Sequence, residues 1–315
     1  MNLPNDPLRW RVGLVGYGEV GRILAEDLRA RDVEQVAAYD IKLGTAAERP
    51  LREHASAHGV ALAASHAELA AAADLIVSAV TASQTVAVAQ ACATAIRPGA
   101  WFLDFNSASP GAKQRAAEIV ETAGGRYVEG AVMSAVPPHR VKVPLLLGGP
   151  HARELEPLLG ALGFNARLAS EQLGVASATK LCRSVMIKGL EALVIESFTA
   201  ARACGVEDAV LASLAQTFPG VDWEQQGAYC FQRVIEHGRR RAEEMREAAA
   251  AVREAGLEPW LATAIAERQA WVADLADEGV FDACDANKCA HSTGWRAEAD
   301  HILAQIKKPQ RFGKS

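Results

Sequence analysis

A glycine-rich decapeptide near the amino terminus, VGLVGYGEVG at residues 12–21, constrains the fold more than any other feature of this chain. Gly16, Gly18 and Gly21 form a G-x-G-x-x-G pattern between an apolar run and a helical segment. The first glycine permits a tight turn, the second lets the backbone approach a pyrophosphate, and the third lets helix and strand pack closely. The motif therefore predicts a dinucleotide site, and the alternative is a glycine-rich turn that binds nothing.

The nature of the dinucleotide depends on Asp40, which closes the second apolar run nineteen residues after Gly21. A carboxylate at this position hydrogen-bonds the ribose 2′-hydroxyl of NAD and repels the 2′-phosphate of NADP. NAD is the predicted cofactor for that reason. Lys42, two residues further on, keeps NADP open as the alternative.

Short apolar runs alternate with segments of helix length through the first half of the chain, which is typical of a parallel sheet with helices on both faces. We expect four strands in this half, with two more strands and a short helix at 151–162 after them. The six predicted strands cover residues 12–15, 36–39, 75–80, 101–105, 126–133 and 143–147. The predicted fold class is an α/β Rossmann-type doubly wound parallel sheet, followed by a second, all-α domain.

The sequence pattern changes near residue 170 from alternating strands and helices to helices alone. Residues 171–204 contain no proline and predict one long helix, and everything downstream is also expected to be helical. We expect residues 61–73 to form an alanine-rich helix, and glycines or prolines at 205, 219–220, 238, 256–259 and 279 to punctuate the carboxy-terminal helices. The predicted domains are an NAD-binding domain at 1–170 and a helical substrate and dimerisation domain at 171–315.

The charge and composition of the chain limit the kinds of partner that it can bind. The 33 basic residues against 38 acidic ones leave a formal net charge of -5, which disfavours nucleic acid and anionic membranes and favours a small-molecule partner. The uncharged stretch 75–96 is too polar to span a bilayer. Six cysteines without a C-x-x-C pair fit the reducing cytoplasm. No metal site is predicted, because the group Cys284, Cys289 and His291 lacks a fourth ligand.

Ligand contacts in such a fold come from loops at the carboxyl ends of the strands. Val80 and Thr81 follow one strand, and Asn106 and Ser107 follow the next. The alternative for Asn106 and Ser107 is turn formation ahead of Pro110. The full set of predicted cofactor-binding residues is Gly16, Tyr17, Gly18, Glu19, Val20, Gly21, Asp40, Val80, Thr81, Asn106 and Ser107.

The long helix that begins the second domain carries a polar face, formed by Ser177, Lys180, Ser184, Lys188 and Glu191 at helical spacing. A solvated face is one explanation of such a stripe. The start of this helix should, however, border the nucleotide domain, where a lysine can act as an acid and base. Lys180 is therefore the candidate catalytic residue.

Four motifs in order resemble the β-hydroxyacid dehydrogenase superfamily, which includes 3-hydroxyisobutyrate and 6-phosphogluconate dehydrogenases. They are GLVGYGEVG, DFNSASP, an EGAVMS segment followed by LLLGG, and G-x-x-x-x-x-K ending at Lys180. The segments KLCRSVMIKGLEAL and HGRRRAEEM resemble a branch with its own helical carboxy-terminal domain. The resemblance implies a homodimer, Lys180 as the proton relay, a cofactor contact at Ser107, and Ser134 in a carboxylate-binding segment with Met133 and Ala135.

Departures from the family pattern fall in the substrate half of the site. Ala135 and Val136 replace two glycines, and Ser184 stands where the family has an asparagine. Ser184 and Lys188 are the remaining predicted substrate contacts. Arg239, Arg240 and Arg241 could bind an anionic group or could belong to a solvated, ion-paired face.

These observations predict an NAD-dependent oxidoreductase that transfers hydride between nicotinamide and a 3-hydroxy acid or a related polyol acid. Two alternatives remain open at this stage. One is an oxidoisomerase or imine-forming reductase on the same scaffold. The other is a nucleotide-sensing protein without catalysis.

Overall fold

The computed structural model describes residues 4–281 and 294–306. Two compact units divide between Cys182 and Arg183. The last strand ends at Ser170, where the sequence predicts the domain division, and the following residues up to Cys182 group with the first unit. Within the described residues, no helix has the length and apolar character to cross a membrane.

The first unit contains an eight-stranded sheet in the order β3-β2-β1-β4-β5-β6-β7-β8. Its strands are β1 Arg11–Val15, β2 Gln35–Tyr39, β3 Ala61–Leu62, β4 Leu75–Ser78, β5 Trp101–Asp104, β6 Arg126–Val132, β7 Leu145–Gly148 and β8 Ala166–Ser170. The order reverses direction between β1 and β4, as the doubly wound class requires. The predicted fold class is thus confirmed.

Helices alternate with these strands. In chain order they are α1 Glu19–Arg29, α2 Arg49–His58, α3 His66–Ala72, α4 Thr85–Ala93, α5 Pro110–Thr122, α6 Val136–His139, α7 Ala152–Ala161 and α8 Val175–Cys204. Neighbouring residues of one strand bury on opposite faces: Leu14 joins one apolar cluster with Leu24, and Val15 joins another with Phe102. Both faces of the sheet are therefore covered, which explains the continuous apolar runs.

Three details of the sheet differ from the sequence-based expectation. Residues 61–73 are not one helix, because Ala61–Leu62 pairs with β2 and Ser65 then caps α3 by accepting the Glu68 N–H. β7 runs antiparallel to β6, because the connection between them, residues 133–144, holds only the four-residue α6 and a 3-10 turn instead of a crossover helix. β8 was not expected, since its residues are only partly covered at the edge of the sheet.

The second unit is helical in its described part. The carboxy-terminal portion of α8 is followed by α9 Glu207–Thr217, α10 Trp223–Glu254, α11 Trp260–Asp277 and α12 Trp295–Ile306. Phe198, Phe231 and Trp295 lie at the centre of its apolar core. The break expected at Gly238 is wrong: it lies inside α10, where a side chain would meet the Gln269 carbonyl of α11. Its absence of a side chain allows the two helices to pack closely.

Candidate active site

The turn between β1 and α1 has the local geometry that the glycine motif predicts. Gly16 has a φ of +89°, and a Cβ there would overlap the Ala79 carbonyl. A Cβ at Gly21 would overlap the Gly16 carbonyl, whereas a Cβ at Gly18 would meet nothing within 4 Å. The turn is therefore closed against the protein at its first and third glycines and open at the second, where a pyrophosphate would approach.

The amino terminus of α1 faces the same turn. Gly18 is the N-cap and supplies no side-chain hydrogen bond to the first turn of the helix. Backbone N–H groups and the helix dipole are consequently available to a phosphate. Glu19 and Val20 are the first two residues of α1, so they lie within this amino-terminal turn. These features fit a dinucleotide cofactor.

Asp40 is 9% exposed and holds the turn through its side chain. One carboxylate oxygen accepts the Tyr17 N–H at 2.8 Å, and the other accepts the Lys42 N–H at 2.9 Å. Tyr17 itself is fully buried, and burial raises the pKa of its phenol to about 12. The structure thus brings Asp40 to the β1–α1 turn, while Lys42 meets Asp40 through its backbone.

The loops after β4 and β5 are joined by Asn106. Its side-chain carbonyl accepts the Val80 N–H at 2.8 Å, and its amide donates to Ser78 Oγ at 3.0 Å. Asn106 is 4% exposed, and these two hydrogen bonds hold the ends of β4 and β5 together. Thr81, next to Val80, is exposed, and its hydroxyl lies 3.4 Å from the Ser83 hydroxyl.

Lys180 meets this edge of the sheet from α8. Its Nζ donates a hydrogen bond to Ser107 Oγ, one residue beyond Asn106. Lys180 and Ser107 are both partly buried. A continuous series of contacts therefore leads from Gly16 to Ala79, from Val80 to Asn106, and then to the Ser107–Lys180 pair. The predicted cofactor turn and the predicted catalytic lysine lie on one edge of the sheet.

Glu129 fixes the start of α8, a role that sequence reasoning missed. This fully buried carboxylate on β6 accepts the N–H groups of Gly174 and Ala176 through one oxygen, at 2.9 and 3.0 Å. Its other oxygen accepts the Ser177 hydroxyl at 2.9 Å. A negative charge at a helix amino terminus stabilises the helix. Glu129 thereby anchors the turn of α8 that precedes Lys180.

The sequence does contain a signal for Glu129. It is a single acid in the buried interior of strand β6, between apolar neighbours, and a charge in such a position needs a partner. Gly148 on β7 leaves the space, because a Cβ there would overlap the carboxylate. The partner could not be foreseen, since Gly174 lies 45 residues away along the chain.

A second buried cluster supports the loop that carries Ser107. Asp104 at the end of β5 forms a salt bridge with Lys113 at 3.0 Å and accepts the Tyr127 hydroxyl at 2.6 Å. The same carboxylate accepts the Asn106 N–H at 2.8 Å. Burial, followed by the neighbouring Asp104 charge, raises the pKa of Tyr127 well above its ordinary value. Asp104 therefore orients the loop rather than reacting.

The segment with the predicted carboxylate-binding serine follows β6. Because β6 is parallel to β5, Ser134 lies at the same edge of the sheet as Ser107. Ser134 is exposed, and Met133 and Ala135 beside it are partly buried. The Met133 N–H donates to the Pro144 carbonyl at 2.9 Å, which holds the segment against β7.

The polar residues of the second unit pair with each other. Lys188 is 6% exposed and forms a salt bridge with Glu244 at 2.8 Å, and it lies 3.3 Å from Ser184 Oγ. Arg241 and Glu191 form a buried pair, while Arg239 pairs with Asp274 at 2.8 Å on the surface. Two of the three consecutive arginines are thus engaged with carboxylates of other helices. The group Cys284, Cys289 and His291 lies outside the described residues.

Comparison with known families assigns both parts of the chain. Residues 11–166 match the NAD binding domain of 6-phosphogluconate dehydrogenase, and residues 201–272 match a domain of unknown function, DUF1932. Together with the sheet order and the glycine turn, the first match defines a nucleotide-binding α/β protein. The chain belongs to the β-hydroxyacid dehydrogenase superfamily, in a branch with its own helical carboxy-terminal domain.

Similar solved structures agree with this assignment. A conserved hypothetical protein from Sinorhizobium meliloti is 36% identical, with a TM-score of 0.75 over 94% of this chain and 97% of that one. The conserved protein MTH1747, described as structurally similar to 3-hydroxyacid dehydrogenases, is 29% identical, with a TM-score of 0.66 over 85% and 99% of the two chains. Mycobacterium tuberculosis 3-hydroxyisobutyrate dehydrogenase, at 18% identity and a TM-score of 0.64 over 93% and 99%, shares the fold.

Proposed function

We propose that this chain is an NAD-dependent oxidoreductase that transfers hydride between nicotinamide and a 3-hydroxy acid or a related polyol acid, with Lys180 as its acid and base. The observation that carries the proposal is the hydrogen bond from Lys180 to Ser107 at the carboxyl edge of β5. That edge also carries the glycine turn and the exposed Ser134.

The cofactor would supply the hydride acceptor or donor, and the protein would supply the proton chemistry. In the oxidation direction, neutral Lys180 takes the proton of the substrate hydroxyl as the carbon–hydrogen bond breaks. In the reverse direction, the Lys180 ammonium donates that proton to the carbonyl oxygen and stabilises its negative charge. Ser107 accepts the Lys180 hydrogen bond and so directs Nζ toward the strand ends.

Substrate binding is proposed at Ser134, where the exposed hydroxyl can donate to a carboxylate. Ser184 and Lys188 were expected as further contacts. Their mutual approach and the Lys188–Glu244 salt bridge mean that an anionic substrate would have to compete with Glu244 for Lys188. Of the two sites, Ser134 therefore has the stronger support.

The choice of NAD over NADP is supported by Asp40. Its carboxylate lies against the turn, held by the Tyr17 and Lys42 N–H groups, and each oxygen retains a lone pair for a ribose hydroxyl. A 2′-phosphate would meet this negative charge directly. Titration with NAD and NADP should show tighter binding of NAD, and Asp40→Ser should narrow the difference.

A homodimer is also proposed. Met186, Leu190 and Leu193 repeat at spacings of four and three along α8, and all three are exposed. Such a stripe is typical of a helix that packs on another apolar surface. Light scattering should give twice the mass of the chain, and Leu193→Glu should shift the mass toward the monomer.

A further inference from the structure

Three side chains away from the proposed reaction site form a compact group of metal-ligating atoms. Glu26 on α1 and His54 and His58 on α2 each offer one ligand atom, and these atoms lie within 4.8 Å of one another. His54 Nε2 is 2.9 Å from Glu26 Oε1, and the two imidazole rings stack with centroids 4.4 Å apart. The histidines are four residues apart, so they project from one face of α2.

The surroundings orient two of these ligands. His54 Nδ1 lies 2.9 Å from the Tyr17 hydroxyl, and the second oxygen of Glu26 accepts a hydrogen bond from Arg140 at 2.6 Å. Asp27 forms a salt bridge with the same Arg140 guanidinium at 2.7 Å, so Asp27 balances the positive charge of Arg140 and the charge of Glu26 remains. Metal-ligating histidines and carboxylates in proteins are usually held by such outer contacts. The group therefore has a ligand set, an outer shell and a negative net charge.

The tautomer of His54 decides how Nε2 meets Glu26. With the proton on Nε2, His54 donates to Glu26 and accepts from the Tyr17 hydroxyl, and both contacts are satisfied without a metal. When the His54 Nδ1–H donates to the Tyr17 oxygen, the lone pair on Nε2 faces the Glu26 carboxylate. Two acceptors then point at each other, an arrangement that costs free energy unless a proton or a cation lies between them. A metal ion would satisfy both atoms at once.

We propose that Glu26, His54 and His58 bind one divalent first-row transition cation, with Zn²⁺ as the best match. Two imidazoles and one carboxylate suit zinc, cobalt or nickel, whereas magnesium and calcium take oxygen ligands. Tetrahedral zinc with ligands at about 2.0 Å places them about 3.3 Å apart. Rotation of the exposed His58 side chain can bring its ring to that distance, while His54 Nε2 and Glu26 Oε1, now 2.9 Å apart, would move apart by about 0.4 Å, and water would complete the coordination.

The cation would tie α1 to α2 beside the nucleotide turn. His54 contacts the hydroxyl of Tyr17, and the Tyr17 backbone contacts Asp40. Binding of zinc should therefore raise the melting temperature of the whole first unit, because a ligand that binds only the folded state stabilises it. This proposal does not depend on the hydride-transfer function.

Calorimetric titration of the full chain with Zn²⁺ alone tests the site. The titration uses a background in which the exposed Cys182 and Cys204, together with Cys284 and Cys289, are replaced by Ser, since thiolates elsewhere would also take zinc. His58→Gln and Glu26→Gln each remove one ligand. His151→Gln is the matched control, because His151 also lies near a glutamate, Glu121 at 3.7 Å, but within the described part of the chain it belongs to no group of three metal-ligating side chains.

The expected result is one zinc per chain with the background protein and with His151→Gln, and at least roughly 10-fold weaker binding with His58→Gln and Glu26→Gln. His58 is exposed, so His58→Gln should unfold at the same temperature as its parent without metal. Equal zinc affinity in His58→Gln, or no zinc binding in the background protein, would overturn the proposal. If Glu26→Gln fails to fold, His58→Gln alone decides.

Discussion

The two units of this chain bury charge in different ways. In the first unit, Glu129 and Asp104 accept hydrogen bonds from backbone N–H groups, so each carboxylate fixes the position of a chain segment near the proposed site. In the second unit, Glu191 and Arg241 pair side chain to side chain between helices. The first arrangement positions functional groups, and the second joins helices. Substitution of a buried charge should therefore impair catalysis in the first unit, whereas in the second unit it should reduce stability.

The largest loss of stability is expected from Arg241→Ala. This change leaves the buried Glu191 carboxylate without its cationic partner, although the Gln269 amide still donates to it, and should lower the free energy of unfolding by about 3 to 5 kcal/mol. Urea denaturation measures the loss. A double variant, Glu191→Leu with Arg241→Met, should recover most of it, because well-packed apolar side chains replace a buried pair at little cost. Failure of the double variant to recover would mean that the pair also serves another purpose.

Glu129→Gln should affect both stability and catalysis. The amide keeps the shape but loses the negative charge, and part of the hydrogen bonding, at the start of α8, so we expect a loss of about 2 kcal/mol. Because Lys180 lies in the following turns, turnover should fall while NAD affinity is retained. Glu154→Gln, an exposed substitution in the same unit, is the control. Unchanged turnover in Glu129→Gln would show that Glu129 only supports the fold.

Acid should destabilise the first unit through Asp74. Burial alone would raise the pKa of this carboxyl, but hydrogen bonds from the Arg11 side chain and backbone and from Arg97 lower it below its ordinary value. The unfolded state therefore takes up the proton first, and stability falls as the pH drops below about 4. Asp74→Asn should lose about 1.5 kcal/mol at neutral pH.

The check on Asp74 is a series of melting temperatures from pH 7 to pH 3. Asp74→Asn should show a smaller change over that interval than the unaltered protein. Parallel curves for the two proteins would show that Asp74 does not cause the loss of stability in acid.

The smallest effect is expected at the surface of the second unit. Arg239 pairs with Asp274 and Asp277, but all three side chains are more than half exposed. Arg239→Ala should therefore change the free energy of unfolding by less than about 1 kcal/mol. Comparison with Arg241→Ala in the same denaturation experiment sharpens the contrast between a buried and an exposed pair on one helix. A loss as large as that of Arg241→Ala would contradict it.

Much of the fold could be predicted from local sequence patterns. The glycine turn, the continuous apolar strands and the long helix were predicted because each depends on neighbouring residues, and Gly16 and Gly21 show the close approaches that the motif requires. The direction of β7 was not predicted, although the short connection after β6 favours an antiparallel pair. The packing role of Gly238 was not predicted, since it depends on Gln269, which is distant in sequence. The same reason hid the contacts of Glu129 with α8 and of Glu26 with His54, 45 and 28 residues apart.

The proposed role of Lys180 can be tested most directly by comparing the unaltered protein with Lys180→Ala. NADH formation is followed over a panel of 3-hydroxy acids and polyol acids, and NAD binding is titrated separately. We expect turnover with at least one acid, a fall of roughly 10²-fold or more in Lys180→Ala, and nearly unchanged NAD affinity. Equal turnover in the two proteins would contradict the assignment, as would NAD binding without turnover on any acid.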